Sequence, residues 1–181
     1  NDIIFHKMEI PPLVNIKDNS IDFVVTFQVI EHIQKDKFFL QEIHRVLKPG
    51  GKLLLTTPNK LMSLSRNPWH IREYTPPEMK NILDKYFNEN SVNGVYGNDL
   101  VMDYYQKNKI AVRKITRFDI FNLQYILPRW LLQIPYDILN RLNRKKLKSQ
   151  NEKVVQSVTV EDYFIKESTE NCLDYFCVAT K

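Results

Sequence analysis

The sequence predicts an α/β fold, and three observations predict it. Ile21 to Phe27 (IDFVVTF) and Lys52 to Thr57 (KLLLTT) are nearly continuous in apolar character, as strands covered on both faces of a parallel sheet are. Between them Phe38, Phe39, Ile43, Val46 and Leu47 fall at helical spacing, so Asp36 to Leu47 reads as an amphipathic helix. Strand, helix and strand in this order make a βαβ unit, with parallel strands and a right-handed crossover.

The other elements follow along the chain. Ile3-Ile4-Phe5 reads as a short strand, and Pro11-Pro12 forces an extended turn after it. Lys17 to Ser20 is a second turn cluster. Pro49-Gly50-Gly51 is expected to end the crossover helix, and Pro58-Asn59 to stop the strand that follows. Thr75-Pro76-Pro77-Glu78 carries a threonine cap, proline in the first turn and a glutamate in the capping-box position. The helix it opens is expected to run to Tyr86-Phe87, with a strand at Ser91 to Tyr96. From Asn98 the alternation stops, and residues 98–160 read as a mostly helical insertion, rich first in aromatic and then in basic residues. Pro128 and Pro135 are expected to break its apolar part into short pieces. Residues 161–181 close the chain, with Leu173 to Thr180 as a strand.

Composition narrows the class. At 181 residues, 43% hydrophobic and 26% charged, the chain is an ordinary globular domain with a core. A net charge of +5 permits an anionic substrate or membrane surface without demanding nucleic acid, and no RNA-binding motif is visible. Cys172 and Cys177 would stand on opposite faces of one strand. Free thiols in a reducing, cytoplasmic compartment are therefore expected. Neither has a histidine nearby in sequence to make it a nucleophile. No secretory leader pattern and no membrane-spanning apolar run is visible.

Asn19-Ser20-Ile21-Asp22-Phe23-Val24-Val25, then Val29-Ile30-Glu31-His32-Ile33, then Glu42-Ile43-His44-Arg45-Val46-Leu47-Lys48-Pro49-Gly50-Gly51, closely resembles class I S-adenosylmethionine (SAM)-dependent methyltransferases. The resemblance runs on through His70-Ile71-Arg72-Glu73-Tyr74-Thr75 to the last strand and is vague across the insertion. It implies a Rossmann-like, mostly parallel sheet whose last strand is antiparallel, incomplete at its N-terminus, with residues 1–97 as the family's third to sixth strands. The family's glycine-rich loop is not in the chain, since glycines at 50, 51, 94 and 97 cannot form it. Upstream residues, or a partner, are expected to fill the place of the missing central strands. A protein that never binds SAM is the alternative.

The resemblance also implies the site. Methyl transfer is an in-line displacement in which SAM carries the reactive group and the protein supplies alignment. Thr26, Phe27 and Gln28 would lie against the methionine end of SAM, unless Thr26 and Phe27 only pack in the sheet. Glu9 and Ile10 would lie near the adenine. Gln28-x-x-Glu31-His32 with His70 is similar to the metal-site pattern of small-RNA 2′-O-methyltransferases, and the first segment is similar to ubiquinone-biosynthesis O-methyltransferases. Gln28 stands where that pattern has a carboxylate, which weakens the site for a hard cation. No resident metal is expected, although Glu31, His32 and His70 are the residues that would hold one. Without metal, His70 is either a general base or a packing loop histidine, with His32 and Glu31 beside it. Arg72 and Tyr74 are expected to line the acceptor pocket.

The expected function is transfer of a methyl group from SAM to an oxygen, less readily a nitrogen, of a small molecule such as a sugar, a lipid-linked intermediate or a quinone-like ring. A non-catalytic binding module and a metal-assisted RNA 2′-O-methyltransferase are the alternatives. Four readings stand for the insertion: a lid over the acceptor, a peripheral membrane-surface helix, an oligomer contact, or a solvated basic face.

Overall fold

The computed structural model describes residues 3–181, so Asn1 and Asp2 of the expected core segment lie outside the described residues. The chain forms β1 (Ile21–Phe27), α1 (Asp36–Val46), β2 (Leu47–Pro58), α2 (Pro76–Leu83) and β3 (Glu89–Gly97). Then come α3 (Asp99–Thr116), α4 (Leu123–Ile126), α5 (Arg129–Gln150), α6 (Glu152–Ser157), β4 (Tyr163–Glu167) and β5 (Asp174–Thr180). The described strands make one five-stranded sheet in the order β1-β2-β5-β3-β4. β1 and β2 are parallel, with Val24 opposite Leu53 and Thr26 opposite Leu55. β5 inserts antiparallel between β2 and β3, so β2 and β3 run the same way. This is the Rossmann-like mixed sheet expected.

One face of the sheet holds the core. Phe39, Leu40 and Ile43 of α1 and Met79, Ile82 and Leu83 of α2 pack on Leu53, Leu55, Tyr175, Cys177 and Ala179. Both-face burial of β1 is not what the structure shows: Phe23, Val25 and Phe27 are exposed, because these two helices cover the other face. The outer edge of β1 pairs with no strand among the described residues. Nor do residues 3–9 form a strand. Ile3, Ile4 and Phe5 are exposed in irregular backbone, since a strand needs a neighbour for its amides and carbonyls.

Further boundaries differ for local reasons. Pro49-Gly50-Gly51 is absorbed into a bulged start of β2, where the register passes from Ile21–Leu47 to Phe23–Lys52. Gly50 takes a φ of 78°, and its amide donates to the Lys181 carbonyl at 2.9 Å. α2 has the capping box at Thr75 and Glu78 but ends at Leu83, whose carbonyl then takes the Tyr86 and Phe87 amides in a tight turn. Pro128 caps α5, whereas Pro135 sits inside it, forfeiting the bond to the Leu131 carbonyl without ending the helix. β4 was not expected; it is a short, wholly exposed edge strand with no burial alternation to betray it. Both cysteines are free and buried, and burial pushes the Cys177 thiol up to about 12, away from nucleophilic use. No helix among the described residues is long and apolar enough to cross a membrane.

Candidate active site

The site is built where the carboxyl ends of β1 and β2 meet the segment before α2. Gln28 leaves β1 in the left-handed region, with φ 56°, while its amide donates to the Thr56 carbonyl at 2.9 Å. This reversal throws Ile30–His32 into a single 3-10 turn anchored by fully buried Ile30. Glu31 is 1% exposed; its Oε2 accepts from the Thr57 hydroxyl at 3.0 Å. Its carbonyl accepts from the amides of Ile71 at 2.7 Å and Arg72 at 3.2 Å, pinning the His70 segment against the turn.

The two histidines are oriented alike. His32 Nδ1 is 2.9 Å from the Trp69 carbonyl, so that nitrogen carries the proton and donates it. His70 Nδ1 lies 2.5 Å from Glu73 Oε1. In each ring Nδ1 is thereby committed, and His32 Nε2 faces Glu31 Oε1 at 3.9 Å. The ligand-capable atoms of Glu31, His32 and His70 all lie within 4.8 Å of one another. The two imidazoles meet edge to face, with centroids 4.9 Å apart.

The frame around them is fixed by buried polar groups. Asp36 Oδ2 accepts from Arg72 at 2.7 Å and from the Tyr74 hydroxyl at 2.8 Å. Burial above all, then Asp36, drives the Tyr74 phenol far above its ordinary range. Arg72 and Tyr74 hold this frame and do not line the cavity described below. Asn59 donates to the carbonyls of Glu170 and Cys172 at 2.9 and 2.7 Å, and accepts from the Leu61 amide at 3.0 Å and the Tyr175 hydroxyl at 2.6 Å. It ties the end of β2 to the start of β5.

Asp174, at that start, was not foreseen. Burial pushes its carboxyl from near 3.8 up to about 6; the Gln28 amide opposes the push and the Glu31 carboxylate adds to it. The folded chain therefore holds this proton more tightly than the unfolded chain. Asp174 contributes stability that is full below about pH 3.8 and is lost as pH rises through about 6. Asp174→Asn is expected to remove that decline. Urea midpoints on either side of this window measure it, and an unchanged slope in the variant would refute the assignment.

A cavity of about 590 Å³ lies between the 63–73 segment and helices α3, α4 and α5. His70 and Glu73 stand in its wall beside Arg66, Asn67, Tyr104 and Tyr136, and Val112, Leu132 and Leu139 add apolar lining. Arg129 donates to the Ile71 carbonyl at 2.7 Å, the Trp69 indole to Asp137 at 3.0 Å, and Arg66 to the Gln124 carbonyl at 2.6 Å. The helices are therefore bonded to the loop that carries His70.

The structure thus brings Glu31, His32 and His70 together, and His70 alone of these also lines the cavity. Thr26, Phe27 and Gln28 stand at the carboxyl end of β1 and line none of it. Glu9 and Ile10 lie in the exposed segment before β1, joined by no hydrogen bond to the other site residues among those described. Glu73 went unassigned in sequence reading; its spacing of three from His70 was the available signal.

A family model described as a methyltransferase domain matches residues 2–55. The match covers under a third of the chain and marks residues 2–55 as resembling a methyltransferase domain. It is 43% identical over 74 residues to a probable S-adenosylmethionine-dependent methyltransferase of Mycolicibacterium smegmatis, covering 38% of this chain and 29% of that protein. It is 43% identical over 47 residues to the mitochondrial ubiquinone biosynthesis O-methyltransferase of Rattus norvegicus, covering 26% of this chain and 14% of that protein. The chain thus spans under a third of the length of these relatives. A SAM-dependent methyltransferase structure from Thermotoga maritima superposes with a TM-score of 0.51 at 16% identity, over 92% of this chain and 58% of that one, a likeness of fold.

Proposed function

We propose that the protein transfers a methyl group from SAM to an oxygen, less readily a nitrogen, of a small-molecule acceptor held in the cavity under α3 and α5. The observation that carries this reading is His70, which has its Nδ1 held by Glu73 and its ring in both the polar cluster and the cavity wall. The rat relative's name, an O-methyltransferase, supports oxygen as the acceptor atom.

SAM supplies the electrophilic methyl group. Buried Thr26 and exposed Phe27 and Gln28, at the carboxyl end of β1, are the residues of this chain proposed to meet its methionine end, with Glu9 and Ile10 toward the adenine. The glycines give no cradle there. Gly50 and Gly51 sit at the opposite end of β2, and a Cβ on Gly94 or Gly97 would collide with Cys172 or Val101. The chain's own contribution is acceptor binding and proton removal. As the acceptor oxygen displaced S-adenosylhomocysteine from the methyl carbon, breaking the carbon–sulfur bond, His70 Nε2 would take the hydroxyl proton and Glu73 would steady the resulting imidazolium. His32 and Glu31 hold the ring in place. In this arrangement residues 1–97 and 161–181 are core and residues 98–160 are a lid that keeps water from the acceptor.

The Glu31–His32–His70 cluster favours a second reading, in which a divalent ion bound there replaces the base. Its histidines each have the outer partner that metal ligands use. Turnover to S-adenosylhomocysteine, assayed with small hydroxyl acceptors before and after chelation, separates the two. Chelator-insensitive turnover is expected. Loss on chelation, restored by a divalent ion, would establish the second reading. Neither turnover nor S-adenosylhomocysteine binding by calorimetry would mark a non-catalytic module.

A further inference from the structure

α5 has two faces with opposite duties. Leu132, Tyr136, Leu139 and Asn143 line the cavity. Trp130, Ile134, Ile138 and Leu142 recur every four residues and so share another face of the helix. That face is open: Trp130 is 70% and Ile134 71% exposed, with Ile138 and Leu142 also exposed. Before α5, Phe118, Ile120, Phe121, Tyr125 and Ile126 are exposed too. A monomer in water rarely leaves so much apolar surface uncovered.

Charge says what covers it. Residues 98–160 hold twelve of the 26 basic side chains and five of the 21 acidic ones, so this segment is strongly cationic while the remainder of the chain is slightly anionic. Arg141, Lys145 and Lys148 lie on the same open side of α5, at and beyond the end of the stripe, are exposed, and form no ion pair among the described residues. An indole and aliphatic stripe running into unpaired cations complements a bilayer boundary. The apolar side chains enter the acyl edge, and the guanidinium and ammonium groups meet anionic headgroups. A protein interface core, by contrast, is depleted of such charges.

We infer that the outward face of α5, with the Phe118–Ile126 segment, docks on an anionic lipid bilayer. The binding is peripheral and does not depend on methyl transfer.

Vesicle flotation tests it, with phosphatidylcholine alone against phosphatidylcholine mixed with phosphatidylglycerol, at low and high salt and without SAM. The protein is expected to float with the mixed vesicles at low salt and to be released by salt. Each of Arg141→Gln, Lys145→Gln and Lys148→Gln is expected to lower the partition coefficient about fivefold, the equivalent of about 1 kcal/mol per charge. Ile134→Ser with Ile138→Ser is expected to abolish it while leaving circular dichroism and thermal midpoint unchanged. Failure of a folded, monomeric protein to float with anionic vesicles would overturn the inference. So would a dimer in sedimentation that Ile134→Ser dissolves, since a second copy would then be the cover. Either result leaves the methyl-transfer reading intact.

Discussion

His70→Ala is expected to lower kcat by about 10²–10⁴-fold, the usual contribution of a positioned base, while KM for the acceptor moves little. The ring removed takes a proton that is lost only as the methyl arrives, so its absence weakens the transition state and spares ground-state binding. Glu73→Gln is expected to do less harm. The amide oxygen can still accept from Nδ1, but the charge that steadies the imidazolium is gone. Its kcat should fall by a smaller factor than that of His70→Ala. Steady-state kinetics on the parent and both variants give the comparison. A kcat within about twofold of the parent for His70→Ala would remove histidine from the chemistry. Loss of bound divalent metal from the same variant would move His70 to the ligand role.

The second large effect concerns stability. Asn59→Ala should destabilise the fold by about 3 kcal/mol, read as a fall in urea midpoint at unchanged slope. Asn59 is 1% exposed, and its side chain bonds the carbonyls of Glu170 and Cys172, the Cys172 sulfur, the Leu61 amide and the Tyr175 hydroxyl. Alanine leaves the two carbonyls and the Leu61 amide without this partner, while the Tyr175 hydroxyl keeps only its 3.2 Å bond to the Tyr74 carbonyl. Asn59→Asp should be no better, because a carboxylate cannot donate to the two carbonyls and would face them as a buried anion. A loss under about 1 kcal/mol for Asn59→Ala would mean that water takes over the vacated partners. Because the Tyr175 hydroxyl also reaches the Tyr74 carbonyl, loosening here should propagate to the segment that carries His70.

These two residues differ in how far they could be read in advance. His70 was nominated from its motif, but the carboxylate that holds it three residues on was passed over, and only the loop's folding brings Glu73 onto Nδ1. Asn59 read as a turn residue that stops a strand. Its donors and acceptors find partners more than a hundred residues away, which no local pattern encodes.

The sequence by itself determined the βαβ unit, the capping box at Thr75 and Glu78, and the adjacency of Glu31 and His32. Each depends on spacings within one or two turns of chain, where periodicity and cap chemistry act directly. Tertiary structure decided the rest. It left one face of β1 open, kept residues 3–9 out of the sheet, let α5 run through Pro135, and placed His70 between the carboxylate cluster and the cavity. Those outcomes depend on which surfaces find a partner to exclude water and satisfy the backbone, a property of the assembled chain that no single segment carries.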